Sequence, residues 1–433
     1  MDIKENFLEF LFTLLLCSLI ESIRMESNLQ LKSVAIILRH GDRTPLHFFR
    51  YDKYQNESFW IPPGLGAVTE KGQQRTRASA ESYRKKYSKF LKQNKDEVKF
   101  FDVTTSKVTR TNTTAIQFMQ TLLKNDTSAK IFYHQNNQML SAVSTCKRSD
   151  ELLEQWHNSS EVRSLWSDKI DFIKMIENKT GNEYLKYETK VLVRLTWLYN
   201  TLMIERENNF SLPDWAQDPL VIEQLKEFRR LNVRSYFNTE ELQRLRGQLL
   251  FKDIKQNMDD ADRKHRFRLY STHDMMQALF LQILGLYDQV DQRMPPSFSS
   301  SIVFEVYQQS MISNESHDDN VTETIRNDQQ FIRFLYREVL DSKTEQGKFE
   351  IEEIVLRPSF CSNNTLMQIP GYNDLEPLCE WEQFLQHIER LLLSKEWKEE
   401  CLNGTIRQQH SSIVFSIILM ILFATKWNHS FLL

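Results

Sequence analysis

Three apolar runs in this chain end abruptly in polar residues, and a helical pattern comes after each of them. The first, Val34-Ala35-Ile36-Ile37-Leu38, is the unbroken run expected of a strand buried on both faces. Gly41 and Pro45 break it, so the chain leaves a strand for a loop. A helix is then predicted from Thr69-Glu70-Lys71-Gly72 towards Tyr87. The second run is Lys99–Val103. Ala115, Ile116, Met119, Leu122 and Leu123 come after it at helical spacing, with Thr111 and Asn112 as candidate caps. The third is Phe267, Leu269 and Tyr270, succeeded by a helix over Met275–Leu286.

Between the second and third runs, Cys146 to Arg246 is rich in charges and Trp and has helical periodicity, as at Leu152–Trp156 and Leu192–Met203. Pro213-Asp214-Trp215-Ala216 interrupts it, and a helix is predicted to resume over Pro219–Leu231. Ser300–Tyr307 and Phe331–Arg337 read as two antiparallel strands around a polar surface loop, Ser313–Asn327. A closing segment from Leu356 to Cys401 carries a helix around Trp381–Leu393. The pattern predicts an α/β fold: a central, mostly parallel sheet flanked by helices, with a smaller helical region packed beside it.

Composition narrows the function. At 433 residues, 41% hydrophobic and 26% charged, the chain can bury one large core and a smaller one. A net charge of -3 excludes a global basic field of the kind that holds nucleic acid. With 10 Gly and 10 Pro it is neither a turn-dense all-β protein nor a repeat array. Phe7–Ile20 reads as the apolar part of a secretory signal, residues 1–22. Without Cys17, four cysteines remain: Cys146, Cys361, Cys379 and Cys401. They allow three pairings into two disulfides. Asn-X-Ser/Thr sites at Asn56, Asn125, Asn158, Asn178, Asn209, Asn314, Asn320, Asn363 and Asn403 agree with passage through the secretory pathway. A C-terminal run, Ile413–Ala424, is short for a membrane span. It fits a short anchor or the tail of a lipid-anchor signal, and membrane attachment through the C-terminus is the expectation.

The chemistry collects at the carboxyl ends of the strands. After the first run stand Arg39, His40, Asp42 and Arg43. Guanidinium forks match phosphate oxygens, and neighbouring positive charge keeps an imidazole neutral and nucleophilic. Arg110 falls near a helix N-terminus, which favours anions. His273 and Asp274 fall where the third strand hands over to its helix. In a parallel sheet, such sites can converge on one carboxyl edge. His134, His157 and His387 lack ligand spacing, so no metal and no cofactor is expected.

The string Leu38-Arg39-His40-Gly41-Asp42-Arg43-Thr44-Pro45 resembles the signature of the histidine acid phosphatases, the second branch of the histidine phosphatase superfamily. Gly66–Gln74 resembles that family's second block, with Val68 where Leu is usual. Arg110-Thr111 and His273-Asp274 resemble two further blocks, and the likeness runs from about Lys32 to Cys401. It implies hydrolysis of small phosphate monoesters through a phosphohistidine. His40 would be the nucleophile and Asp274 the proton donor, with Arg39, Arg43, Arg110 and His273 on the phosphate oxygens. Asp42 would pair with basic neighbours.

The resemblance also implies disulfides Cys146–Cys401 and Cys361–Cys379, a homodimer, and an extracellular or lysosomal location. It divides the chain into an α/β domain, 32–130 and 250–401, an inserted helical domain, 131–249, and a tail, 402–433. Two other functions compete with a general acid phosphatase. One is a phytase-like or lysophosphatidate phosphatase with the same site, and the other is a non-catalytic surface glycoprotein on this fold. The second should have lost one or more of the site residues, and none is lost.

Overall fold

A computed structural model describes residues 28–92, 99–124, 126, 128–141, 146–258, 266–314, 324–361, 378–392 and 396–402. The predicted signal, the run Ile413–Ala424, and Asn125, Asn320, Asn363 and Asn403 lie outside the described residues. Asn56, Asn158, Asn178 and Asn209 are exposed. No described helix is long and apolar enough to cross a membrane.

The strands are β1 (Asn28–Arg39), β2 (Lys99–Thr105), β3 (Ala129–Gln135), β4 (Arg266–Thr272), β5 (Ser301–Asn314), β6 (Thr324–Asp341), β7 (Phe349–Leu356) and β8 (Cys379–Glu380). They form one sheet in the order β3-β2-β4-β1-β5-β6-β7, with β8 on β6. From β3 to β1 the neighbours are parallel, and from β1 onward antiparallel. The loop expected over Ser313–Asn327 is shorter than predicted. Its ends pair as strands as far as Asn314 opposite Thr324, because the β5–β6 ladder outruns its apolar centre.

The helices used below are α1 (Glu70–Lys86), α2 (Thr109–Leu123), α3 (Lys147–His157), α4 (Ser160–Ser167), α5 (Ile170–Thr180), α6 (Val191–Glu207), α7 (Pro219–Ser235), α8 (Glu240–Met258), α9 (Asp274–Ile283) and α10 (Trp381–Glu389). Alternation along β1 explains the layers. Val34, Ile36 and Leu38 point to one face and pack with Tyr83, Phe118 and Met119 of α1 and α2. Ala35 and Ile37 point to the other and pack with residues of α8, α9 and α10. A separate core over α4 to α7 joins Trp166, Ile173, Leu195, Leu202 and Phe228, and takes in Phe49 from the loop after β1. Residues 131–135 of the segment expected to be inserted pair in the sheet as part of β3. Helix α8 runs across the expected return at 250.

Disulfides join Cys146 to Cys401 across 255 residues and Cys361 to Cys379 across 18. These are the pairings the resemblance implied.

Candidate active site

Register builds the site. Arg39 at the end of β1 lies opposite Thr272 at the end of β4, and Thr105 at the end of β2 lies opposite Ser271. Three strands therefore stop together, and the residues just beyond them meet. The His40 N–H donates to the Thr272 carbonyl at 3.1 Å, and the Ser106 N–H to the Ser271 carbonyl at 3.3 Å. Helix α2 starts at Thr109, so Arg110 stands in its first turn; helix α9 starts at Asp274. The expected caps Thr111 and Asn112 fall inside α2. The cap is Val108, without a side-chain bond, and the Thr111 hydroxyl instead donates to the Val108 carbonyl at 2.8 Å.

The loop after β1 is held tightly. The Gly41 N–H donates to Thr114 Oγ1 at 3.0 Å. A Cβ on Gly41 would stand 2.7 Å from the Gly72 carbonyl oxygen, and one on Gly72 would stand 2.3 Å from that of Asp42. Only glycine at both positions lets α1 seat against this loop. Thr44 N–H to Ala67 O at 3.0 Å and Thr69 N–H to Asp42 O at 2.9 Å complete the seat. The Asp42 carboxylate takes Arg75 Nε at 2.8 Å and Nη2 at 3.2 Å, so it braces the loop from below, as its expected pairing with a basic neighbour requires.

His40 is buried, with Nδ1 2.9 Å from the Gly41 carbonyl oxygen. A carbonyl only accepts, so Nδ1 carries the proton and Nε2 keeps the lone pair. The His273 ring lies edge-on to His40, with centroids 5.4 Å apart. His273 sits between Ser106 Oγ, 3.1 Å from Nε2, and Arg110 Nη2, 3.4 Å from Nδ1. Arg39 reaches Asp274 Oδ2 at 3.1 Å, donates to the Pro296 carbonyl at 2.5 Å and lies 4.0 Å above the Phe298 ring. Arg43 Nη1 donates to the Thr44 carbonyl at 2.9 Å.

Burial, then Arg110 and Arg39, hold the His40 pKa well below the ordinary value. His273 is pulled down to about 3 by burial and Arg110. Burial lowers Arg39 to about 10; burial with Arg110 and Arg39 lowers Arg43 to about 9. Burial pushes the Asp274 carboxyl up, but Arg39, Arg229 and His273 outweigh it and leave that carboxyl well below its usual range. The buried Nε atoms of Arg39 and Arg110 have no hydrogen-bond partner among the described residues. Such a concentration of cations, with unused donors, suits a bound anion.

All six residues singled out for catalysis and phosphate binding thus come together: Arg39, His40, Arg43, Arg110, His273 and Asp274. Residues 30–337 match the family described as the histidine phosphatase superfamily (branch 2). The chain belongs to that superfamily. Its members' enzyme class, phosphoric monoester hydrolysis, comes with the assignment. The chain is 25% identical to the lysosomal acid phosphatase of Xenopus laevis over 425 residues, covering 93% of this chain and 86% of that protein. It is 25% identical to the prostatic acid phosphatase of Bos taurus over 300 residues, covering 64% and 74% respectively. Among solved structures, the phytase from Citrobacter braakii superposes with a TM-score of 0.59 at 14% identity, over 86% of this chain and 99% of that one. The Hafnia alvei phytase superposes with 0.58 at 13% identity, over 84% and 97%. At such identities these two share the fold of this branch.

Sequence reasoning missed one residue of the site. Arg229, on α7, places Nη2 2.7 Å from Asp274 Oδ2, the same oxygen that Arg39 holds. Asp274 Oδ1 accepts the Met275 N–H at 2.9 Å. Nothing local marks Arg229, which stands among Glu227, Arg230 and Arg234 on a charged helix. Only the packing of α7 beside the start of α9 turns it inward.

Proposed function

We propose that this chain is an acid phosphatase that hydrolyses phosphate monoesters through a phosphohistidine on His40, with Asp274 as proton donor. The observation that carries this is the neutral, buried His40, with Nε2 left basic, among Arg39, Arg43, Arg110 and His273. The phosphate oxygens bind the guanidinium groups and His273. The Nε2 lone pair attacks phosphorus as the bond to the ester oxygen breaks, and Asp274 gives its proton to that leaving oxygen. Water then attacks the phosphorus, returns a proton to Asp274, and the P–N bond breaks. Charge on the phosphoryl oxygens is met by fixed cations, which is where phosphoryl transfer gains most.

The pH dependence comes from the sign of each shift. His40 stays neutral in acid because its pKa is lowered. Asp274 starts low, but a bound phosphate dianion raises it and offsets the arginines. Turnover is therefore favoured in acid and falls as pH rises through the Asp274 pKa of the complex. The two disulfides support folding in an oxidising compartment, in line with the secretory pathway or lysosome.

The test is His40→Ala. Hydrolysis of 4-nitrophenyl phosphate should drop to background, and chain quenched in alkali, where a P–N bond survives, should carry no phosphate from a radiolabelled ester, whereas wild type retains it. Turnover by the alanine variant would remove His40 as nucleophile.

A further inference from the structure

Two cavities run outward from the phosphate site. The inner one, about 120 Å³, reaches Arg43 and is bounded by Leu46, His47, Trp197 and Asn200. The outer one, about 370 Å³, lies beyond and shares His47, Trp197 and Thr201 with it. The shared wall is a stacked pair: the His47 and Trp197 rings lie 4.1 Å apart at 16°, and Trp197 is 40% exposed. Thr201 Oγ1 donates to the His47 carbonyl at 2.6 Å and fixes this wall to α6.

Two arginines stand in the outer cavity. Arg194 lies 3.9 Å above the Tyr187 ring, and its Nη1 donates to the Glu183 carbonyl at 3.1 Å. Arg50 comes from the loop after β1, and its backbone N–H donates to Asn182 Oδ1 at 3.0 Å. Neither guanidinium has a carboxylate within ion-pair distance among the described residues. The acid lining the cavity, Glu183, is engaged by Lys186 at 2.8 Å. The outer cavity therefore sets two arginines against one acid, next to an aromatic surface, and it adjoins the inner cavity that reaches Arg43.

We propose that this outer cavity is a second-anion subsite. It selects aryl phosphate monoesters whose leaving group carries a further carboxylate or phosphate across the ring. The ring lies against the His47–Trp197 pair, and the far anion is held by Arg50 and Arg194. The proposal rests on the phosphatase function above. Stacking and charge-assisted hydrogen bonds each add selectivity here, since the His47–Trp197 pair and Arg194 are held before the ligand arrives.

The test compares 4-carboxyphenyl phosphate with its neutral isostere 4-carbamoylphenyl phosphate. Each is measured with the wild-type chain and with Arg50→Gln/Arg194→Gln, folded state being checked by thermal melting. Wild type should prefer the carboxylate by about tenfold in kcat/KM, mainly through KM, and the double variant should lose that ratio. Binding of the same pair to His40→Ala, measured by calorimetry, should give the same ratio without turnover. Equal kcat/KM for both esters in wild type overturns the subsite, as does a preference that survives in the double variant. Absence of turnover of either ester, and of 4-nitrophenyl phosphate, would instead count against the phosphatase function itself. Should the double variant melt early, Arg194→Lys serves in its place: it keeps the charge, and the carboxylate preference should be retained in part. A complete loss with the lysine would overturn charge as the cause.

Discussion

Two groups of buried carboxyls in this molecule meet opposite fates. Asp274 lies at the start of α9 with two guanidinium groups on one oxygen, and its pKa falls. Asp52 and Glu205 lie under the loop after β1 and on α6, both buried, with no cation paired to them among the described residues. Asp52 Oδ1 accepts the Tyr54 N–H at 2.7 Å, and the Asp52 and Glu205 carboxyls otherwise face each other rather than a cation. Glu205 is pushed up to about 9 by burial and by the Asp52 charge, and Asp52 is raised by burial. Burial acts upward on all three. Counter-charge decides the direction, and of these three carboxyls only Asp274 has it.

The strongest way to break this contrast is Asp274→Asn. It should cut kcat on alkyl phosphates by roughly 10²–10⁴-fold and on aryl phosphates with good leaving groups far less. Equal losses on both ester types would mean that Asp274 donates no proton.

Arg229→Ala should act more mildly. With one of its two cations gone, Asp274 becomes easier to protonate, so the alkaline limb of kcat should move up by about one pH unit. Arg229→Lys should bring the limb back towards wild type. An Arg229→Ala profile that superimposes on the wild-type one would show that α7 only covers the site.

The smallest effect is expected at Glu205. Its folded pKa, about 9, stands above the ordinary 4.5, so its proton is held more tightly in the folded chain. That stabilisation is complete below about 4.5 and drains away as pH rises towards 9. Glu205→Gln mimics the protonated form at every pH. Its melting temperature should match wild type near pH 4.5 and exceed it by about 2–4 °C near pH 8. Parallel melting curves across that range would mean the pair is not uncompensated.

What could be read from the sequence divides along the same line. β1 is buried on both faces and writes an unbroken apolar run, β4 keeps Phe267, Leu269 and Tyr270 around a buried Arg268, and the polar residues after both stand out. His40 and His273 were legible for that reason, and Arg110 by its place at a helix start after β2. β3 was not, since it lies at the sheet edge with Ile131, Phe132 and Tyr133 exposed and no alternation to betray it. β7, Phe349-Glu350-Ile351-Glu352-Glu353-Ile354-Val355-Leu356, alternates with acids that pair with Arg293, Arg337 and Lys86 on neighbouring elements. Arg229 and the Asp52–Glu205 pair depend on which helix faces are turned inward, and that is settled by packing between units far apart in the chain.

The bond between Cys146 and Cys401 encloses most of the polypeptide: α3 to α10 and β4 to β8 all lie between its ends. A protease that cuts once anywhere inside that span therefore releases nothing. Both pieces stay tethered, and they part on a gel only after a thiol reductant has been added.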